Sequence, residues 1–83
     1  MRHATDLDLD RIDALLQQVR QCVATGFVER KRGVFYLRGR AFLHFHEHDG
    51  QLLADVRIHD DFERVSLDDG GVRLLAILAQ CLA

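Results

Sequence analysis

The sequence predicts one α+β domain over residues 1–83: an N-terminal helix, a three- or four-stranded antiparallel β-meander and a C-terminal helix. Three observations predict it. Apolar residues recur at helical spacing from Leu9 to Val23, alternate with polar ones from Val34 to Ile58, and crowd the closing stretch VRLLAILAQCLA. No Pro/Gly-rich linker and no second core pattern divides the chain. With 83 residues, 48% of them hydrophobic, the fraction of surface that folding can bury is modest, so a partner subunit would add to a thin stability margin.

Met1 to Leu7 reads as a polar lead-in. Thr5 or Asp8 is placed to cap the first helix, with Asp6, Asp8 and Asp10 near its positive end. Leu9, Ile12, Leu15, Leu16, Val19, Cys22 and Val23 then form a one-sided stripe over about four turns, and the helix is expected to end before Gly26. Phe27 and Val28 either begin a short strand or pack as the chain enters the sheet, and Glu29 to Gly33 suits a surface connection.

Val34 to Leu37 is the first clear strand, and Arg38-Gly39 makes a tight turn into the next. The firmest signal is Asp49-Gly50, because a two-residue Asp-Gly loop suits the mirror-image turn of an antiparallel hairpin. With that loop, His48 faces Gln51, and the pairs run outward through His46 with Leu53, Phe45 with Ala54, His44 with Asp55 and Leu43 with Val56. One face is then apolar, carrying Leu43, Phe45, Ala54, Val56 and Ile58, and the other carries His44, His46 and His48 beside Asp55 and Arg57. A slip of one residue would mix the two faces.

The same alternation, continued through Arg38-Gly39, puts Val34 and Tyr36 on the apolar face and Phe35, Leu37 and Phe42 on the histidine face. Such an apolar patch reads as a contact surface. After a turn at His59 to Asp61, Phe62 to Leu67 is a candidate fourth strand. Ser66 with Asp69, or Asp68 alone, is placed to cap the last helix. From Val72 onward the chain is apolar on more than one helical face, so Leu74 and Leu78 join Phe35, Leu37 and Phe42 as expected interface residues of a homodimer.

His44, His46 and Asp55 are the candidate metal ligands, because imidazoles beside a carboxylate suit zinc or another divalent transition metal. His48 and Arg57, on the same face, are candidate ligand contacts. Three same-side positions on one strand span about 13 Å from first to last, so one ion could join neighbours but needs help from elsewhere for a third ligand.

The formal charge of −2 conceals a segregation: residues 30–46 hold five basic and no acidic residues, residues 47–83 three basic and eight acidic. Arg30, Lys31, Arg32, Arg38 and Arg40, interleaved with Phe35 and Tyr36, form a candidate nucleic-acid surface. The alternation that turns Tyr36 inward and the acidic C-terminal half weigh against that use.

Cys22 and Cys81 lie in apolar stripes, far apart and without CxxC spacing, and read as buried thiols acting as small hydrophobes rather than a disulfide. There is no HExxH, GxSxG, Walker-type or Rossmann glycine pattern, and no catalytic residue is assigned. With neither a signal-like run nor 18 consecutive apolar residues, the expectation is a cytoplasmic protein without a membrane partner.

The stretch GVFYLRGRAFLHFHEHDGQLLADVR, followed by FERVSL, resembles a group of small bacterial proteins of unassigned function. They share an aromatic first strand, an FLHFHE-like second, an ADVR-like third and a FERV-like segment. The resemblance covers about Gly33 to Leu67 and directs attention to His44, His46, Glu47, Asp55 and Arg57. The order of elements is also similar to that of the YjbR and MmcQ group of small α+β proteins, which implies helix, sheet, helix. The expected function is a small homodimeric interaction or structural module. The alternatives are a metal- or small-ligand-binding protein using the histidine face and a nucleic-acid-binding protein using the basic strip.

Overall fold

Three two-residue corners, Arg38-Gly39, Asp49-Gly50 and His59-Asp60, fold the middle of the chain into consecutive antiparallel hairpins. At the second corner Asp49 has φ 51° and Gly50 φ 82°, the left-handed pair that a mirror-image hairpin turn needs. The computed structural model describes all residues, Met1–Ala83. Along the chain come β1 (Arg2–His3), α1 (Asp6–Arg11), α2 (Asp13–Arg20), β2 (Phe27–Lys31), β3 (Val34–Leu37), β4 (Arg40–His48), β5 (Gln51–Ile58), β6 (Asp61–Ser66) and α3 (Val72–Cys81). The sheet order is β2-β3-β4-β5-β6, and β1 pairs with β4. Because β3 pairs with β4 only between Arg40 and Leu43, β1 takes the same edge further along, opposite His46 and Glu47.

The central register is the one alternation dictates, from His48 opposite Gln51 to Leu43 opposite Val56. Leu43, Phe45, Ala54, Val56 and Val65 meet Leu9, Leu15, Leu16, Val19, Leu74 and Leu78 in one core. All buried apolar residues of the helices belong to this core, so the helices lie on one side of the sheet and the histidine face is left without a helix.

The expectation for Phe35, Leu37 and Phe42 is overturned. Tyr36 faces Ala41 as alternation requires, yet Phe35 faces Leu43, so Phe42 is the extra residue of a β-bulge. The bulge returns Phe42 to the helix side. There Phe27 stacks on Phe35 at 5.3 Å and meets Phe42 edge-on at 5.9 Å. Phe35 and Phe42 are buried, and Leu37 packs against the same core. Leu74 and Leu78 are likewise fully buried by the chain's own sheet. The apolar surplus that called for a second copy is therefore covered within one chain. Val72, 67% exposed, shows that α3 is buried along one stripe only.

Other departures are local. The first helix is two, because Ile12 leaves helical geometry (φ −118°, ψ 28°) and Asp13 opens a new first turn. Thr5 caps α1 in a reciprocal box with Asp8. Residues 29–31 belong to β2 rather than to a loop. Gly71, not Ser66 or Asp68, is the N-cap of α3, while the Asp69 carboxylate accepts from the Gly71 and Arg73 amides. No helix is long and apolar enough to cross a membrane.

Candidate metal centre

Two sequence relations build this site. His44 and His46 are two apart on β4 and so share a face, and β1 pairs His3 directly with His46. The ring centroids of His3 and His46 are 4.6 Å apart, those of His44 and His46 4.9 Å, and those of His3 and His44 5.9 Å. One ligating atom from each ring lies within 4.8 Å of the other two. Tetrahedral coordination with zinc–nitrogen bonds of 2.0–2.1 Å sets ligand atoms about 3.3 Å apart, so small side-chain rotations would close this set onto an ion.

The polar atoms support that reading. Nδ1 of His44 is buried and has no hydrogen-bond partner. Nδ1 of His46 is also buried, and its polar neighbour is Asp55 Oδ2 at 2.9 Å. Burial, and then the neighbouring charges of His46 and His3, lower the His44 pKa against the opposing pull of Asp55. Burial is also the main cause lowering His46, again against Asp55. Both rings are thus held in the neutral form that ligates metals.

Asp55 lies beside the converging set rather than within it. It is 6% exposed, and both of its oxygens accept from Arg64, through Nε and Nη2 at 2.9 Å each. Burial pushes its carboxyl upward, but the Arg64 guanidinium, with His46 and His44, more than offsets this and the pKa is lowered. Its place is behind His46, as an orienting carboxylate.

No family model, curated protein or solved structure matches the chain.

The remaining candidates separate. His48 is exposed at the hairpin end, 3.5 Å from Asp49, and takes no part in the cluster. Arg57 donates to the Ala41 carbonyl at 2.8 Å and the Asp60 carbonyl at 3.2 Å, and lies over the Phe62 ring, whose neighbour is His44. The basic strip is not one surface. Arg32 is tied to Asp6 and Asp10, and Arg30 lies over Tyr36. Arg38 and Arg40 stand at the far end of β3, about 13 Å along the strand. Cys22 and Cys81 are free thiols.

His3 is the site residue that sequence reasoning missed. A two-residue strand is too short to show alternation. The available signal was arithmetic: two neighbouring histidines needed a third ligand, and outside the 44–48 run only His3 and His59 remained. His3 and His44 also line a cleft of about 280 Å³ that Lys31 and Tyr36 share.

Proposed function

We propose that this protein binds a divalent transition metal of the zinc type through His3, His44 and His46, with Asp55 and Arg64 supporting His46 from behind. The observation that carries this reading is the convergence of three imidazoles from two paired strands, one of them, His44, with a buried Nδ1 atom that lacks a hydrogen bond. Three neutral nitrogens suit zinc, cobalt or nickel better than calcium or magnesium, which take oxygen ligands. Three protein ligands leave a fourth position for water or a small ligand. The cleft beside His3 and His44 gives that position an outlet, and Lys31 on its wall favours an anion there.

The competing reading is a packed ring cluster in which Phe62 meets His44 edge-on at 4.9 Å and the histidines act as aromatic surface. Metal titration separates the two. Chelator-stripped protein is expected to take up one equivalent of zinc in calorimetry and to give the visible absorption of a tetrahedral site with cobalt(II). His3→Ala, His44→Ala and His46→Ala should each abolish both signals, whereas His48→Ala should leave them intact. Absence of uptake by the unaltered protein, or uptake equal in all four variants, would overturn the proposal.

A further inference from the structure

A second concavity of the molecule lies away from the histidine cluster. A cleft of about 490 Å³ opens between the β3–β4 corner, the end of β5 and the last turn of α3. Its volume is in the range of small-molecule sites, about 300–1,000 Å³. Phe42, Ile58 and Cys81 supply apolar wall, and Arg38, Arg40 and Arg57 supply guanidinium groups. No carboxylate lines it, and it shares no lining residue with the histidine cluster.

Arg38 and Arg40 are largely uncommitted, whereas Arg57 is held by two backbone carbonyls and by the Phe62 ring. Arg38 makes no ion pair and no side-chain hydrogen bond in the molecule. Arg40 has one contact, 3.5 Å from Asp60, with side chains 59% and 90% exposed, which is a weak pair in water. Arg57 is positioned by the Ala41 and Asp60 carbonyls through Nε and Nη1, which fixes its plane and leaves Nη2 unused. Arginines beside a helix C-terminus are often explained by the carbonyls and negative dipole end there. Here none of the three donates to a carbonyl of α3. Three cations around an apolar pocket, with the exposed Asp60 carboxylate beside Arg40 as their one acidic partner, define a complementary ligand, because guanidinium forks match carboxylate and phosphate oxygens.

We propose that this cleft binds a small organic oxyanion, a carboxylate or phosphate monoester, with its charged end on Arg38, Arg40 and Arg57 and its apolar body against Phe42 and Ile58. The test titrates chelator-treated protein with phenyl phosphate and with benzoate, following backbone amide shifts by NMR. Chelation keeps any metal from holding the anion. Saturable shifts are expected at Phe42, Ile58 and Cys81 with at least one of the two probes, and the one that binds more tightly identifies the anion class. Inorganic phosphate should bind at least tenfold more weakly than phenyl phosphate if the apolar wall contributes, and phenol should not saturate.

The double variant Arg38→Gln/Arg40→Gln should weaken binding by about tenfold or more, as expected for lost charge-assisted contacts. Both residues are exposed, and the same spectra report whether the fold is kept. Raising the salt concentration should weaken binding in the unaltered protein without any substitution. No saturable shift with either probe would overturn the inference. So would equal binding of phenol, or affinity insensitive to both the double variant and salt.

Discussion

Arg64 grips both oxygens of Asp55, and the second of those oxygens lies 2.9 Å from His46 Nδ1. The guanidinium keeps a buried carboxylate ionised, and the ionised carboxylate sits behind the ring that two strands bring to the cluster. Carboxylates in that position fix the ring's orientation and raise its basicity, and their loss costs about 10–100-fold in metal affinity. Asp55→Asn is therefore expected to weaken zinc binding by that factor in calorimetry. Asp60→Asn, on the exposed β5–β6 corner, should leave it unchanged.

The bulge at Phe42 makes an unequal prediction for two phenylalanines on neighbouring parts of the sheet. Phe42 is 3% exposed and packed with Phe27 and Phe35, so Phe42→Ala should cost about 3–4 kcal/mol, counting the cavity it leaves. Phe62 is 40% exposed on an edge strand, and Phe62→Ala should cost about 1 kcal/mol. Urea denaturation compares them directly. If Phe42 lay on the histidine face, the two costs would be similar.

That contrast marks where the sequence stopped being readable. The register from Leu43 to His48 could be read because a single-residue slip mixes two chemically distinct faces, and the Asp49-Gly50 corner leaves one solution. Phe42 has no such signature. Two adjacent aromatics flanking the Arg38-Gly39 corner satisfy either parity, and only packing with Phe27 selects the bulge. At the site, His44, His46 and Asp55 were identifiable as one face. The role of Asp55 was not, because its partner Arg64 lies on a strand of uncertain start. His3 was hidden because its position depends on β1 pairing across more than forty residues of chain, which no local pattern encodes.

Gly71 serves two purposes, and both forbid a side chain. Its φ of 91° lies in the left-handed region, and a Cβ built there would fall 2.5 Å from Leu15 Cδ1, a buried side chain of α2. The close approach is what lets α3 start against α2. Gly71→Ala is expected to destabilise by about 1–3 kcal/mol, combining backbone strain with overpacking. Gly70, also at positive φ but with open space around it, should show the smaller backbone effect alone. Thermal midpoints of the two alanine variants separate the contributions.

Acid should weaken the metal-free fold in two stages. Burial lowers the His44 and His46 pKa values below their ordinary 6.5, so the unfolded chain takes up protons first as pH falls through that value, and stability drops. The second stage belongs to carboxylates. The Thr5 amide and Arg2 lower Asp8, Arg20 lowers Glu29, and the Arg73 and Gly71 amides lower Asp69. Their contribution is complete above the unfolded values of 3.8 for Asp and 4.5 for Glu, and is lost as pH falls through the folded ones. Urea midpoints in the presence of chelator should decline between about pH 7 and pH 5 and again below about pH 4.5. A midpoint that rises on acidification across the first interval would contradict the burial of the histidines.

The N-terminal strand gives the metal proposal a readout independent of affinity. β1 is two residues long, and after it the Ala4 amide donates to the Phe45 carbonyl at 3.0 Å. So short a pairing opens easily, and its amides are expected to exchange hydrogen faster than those of the β4–β5 ladder. An ion held by His3 together with His44 and His46 binds only when β1 is docked, so it stabilises the docked state by mass action. At a zinc concentration of about 100 times the dissociation constant, the shift is about 2.7 kcal/mol, a slowing of about a hundredfold in local opening. Hydrogen exchange followed by NMR should therefore show zinc protecting the Ala4 amide while leaving the exposed Arg38-Gly39 corner unchanged. In His3→Ala, which keeps the Ala4 hydrogen bond but removes the ligand, zinc should give no protection. Protection that persists in that variant would mean the ion sits elsewhere and β1 is only a bystander.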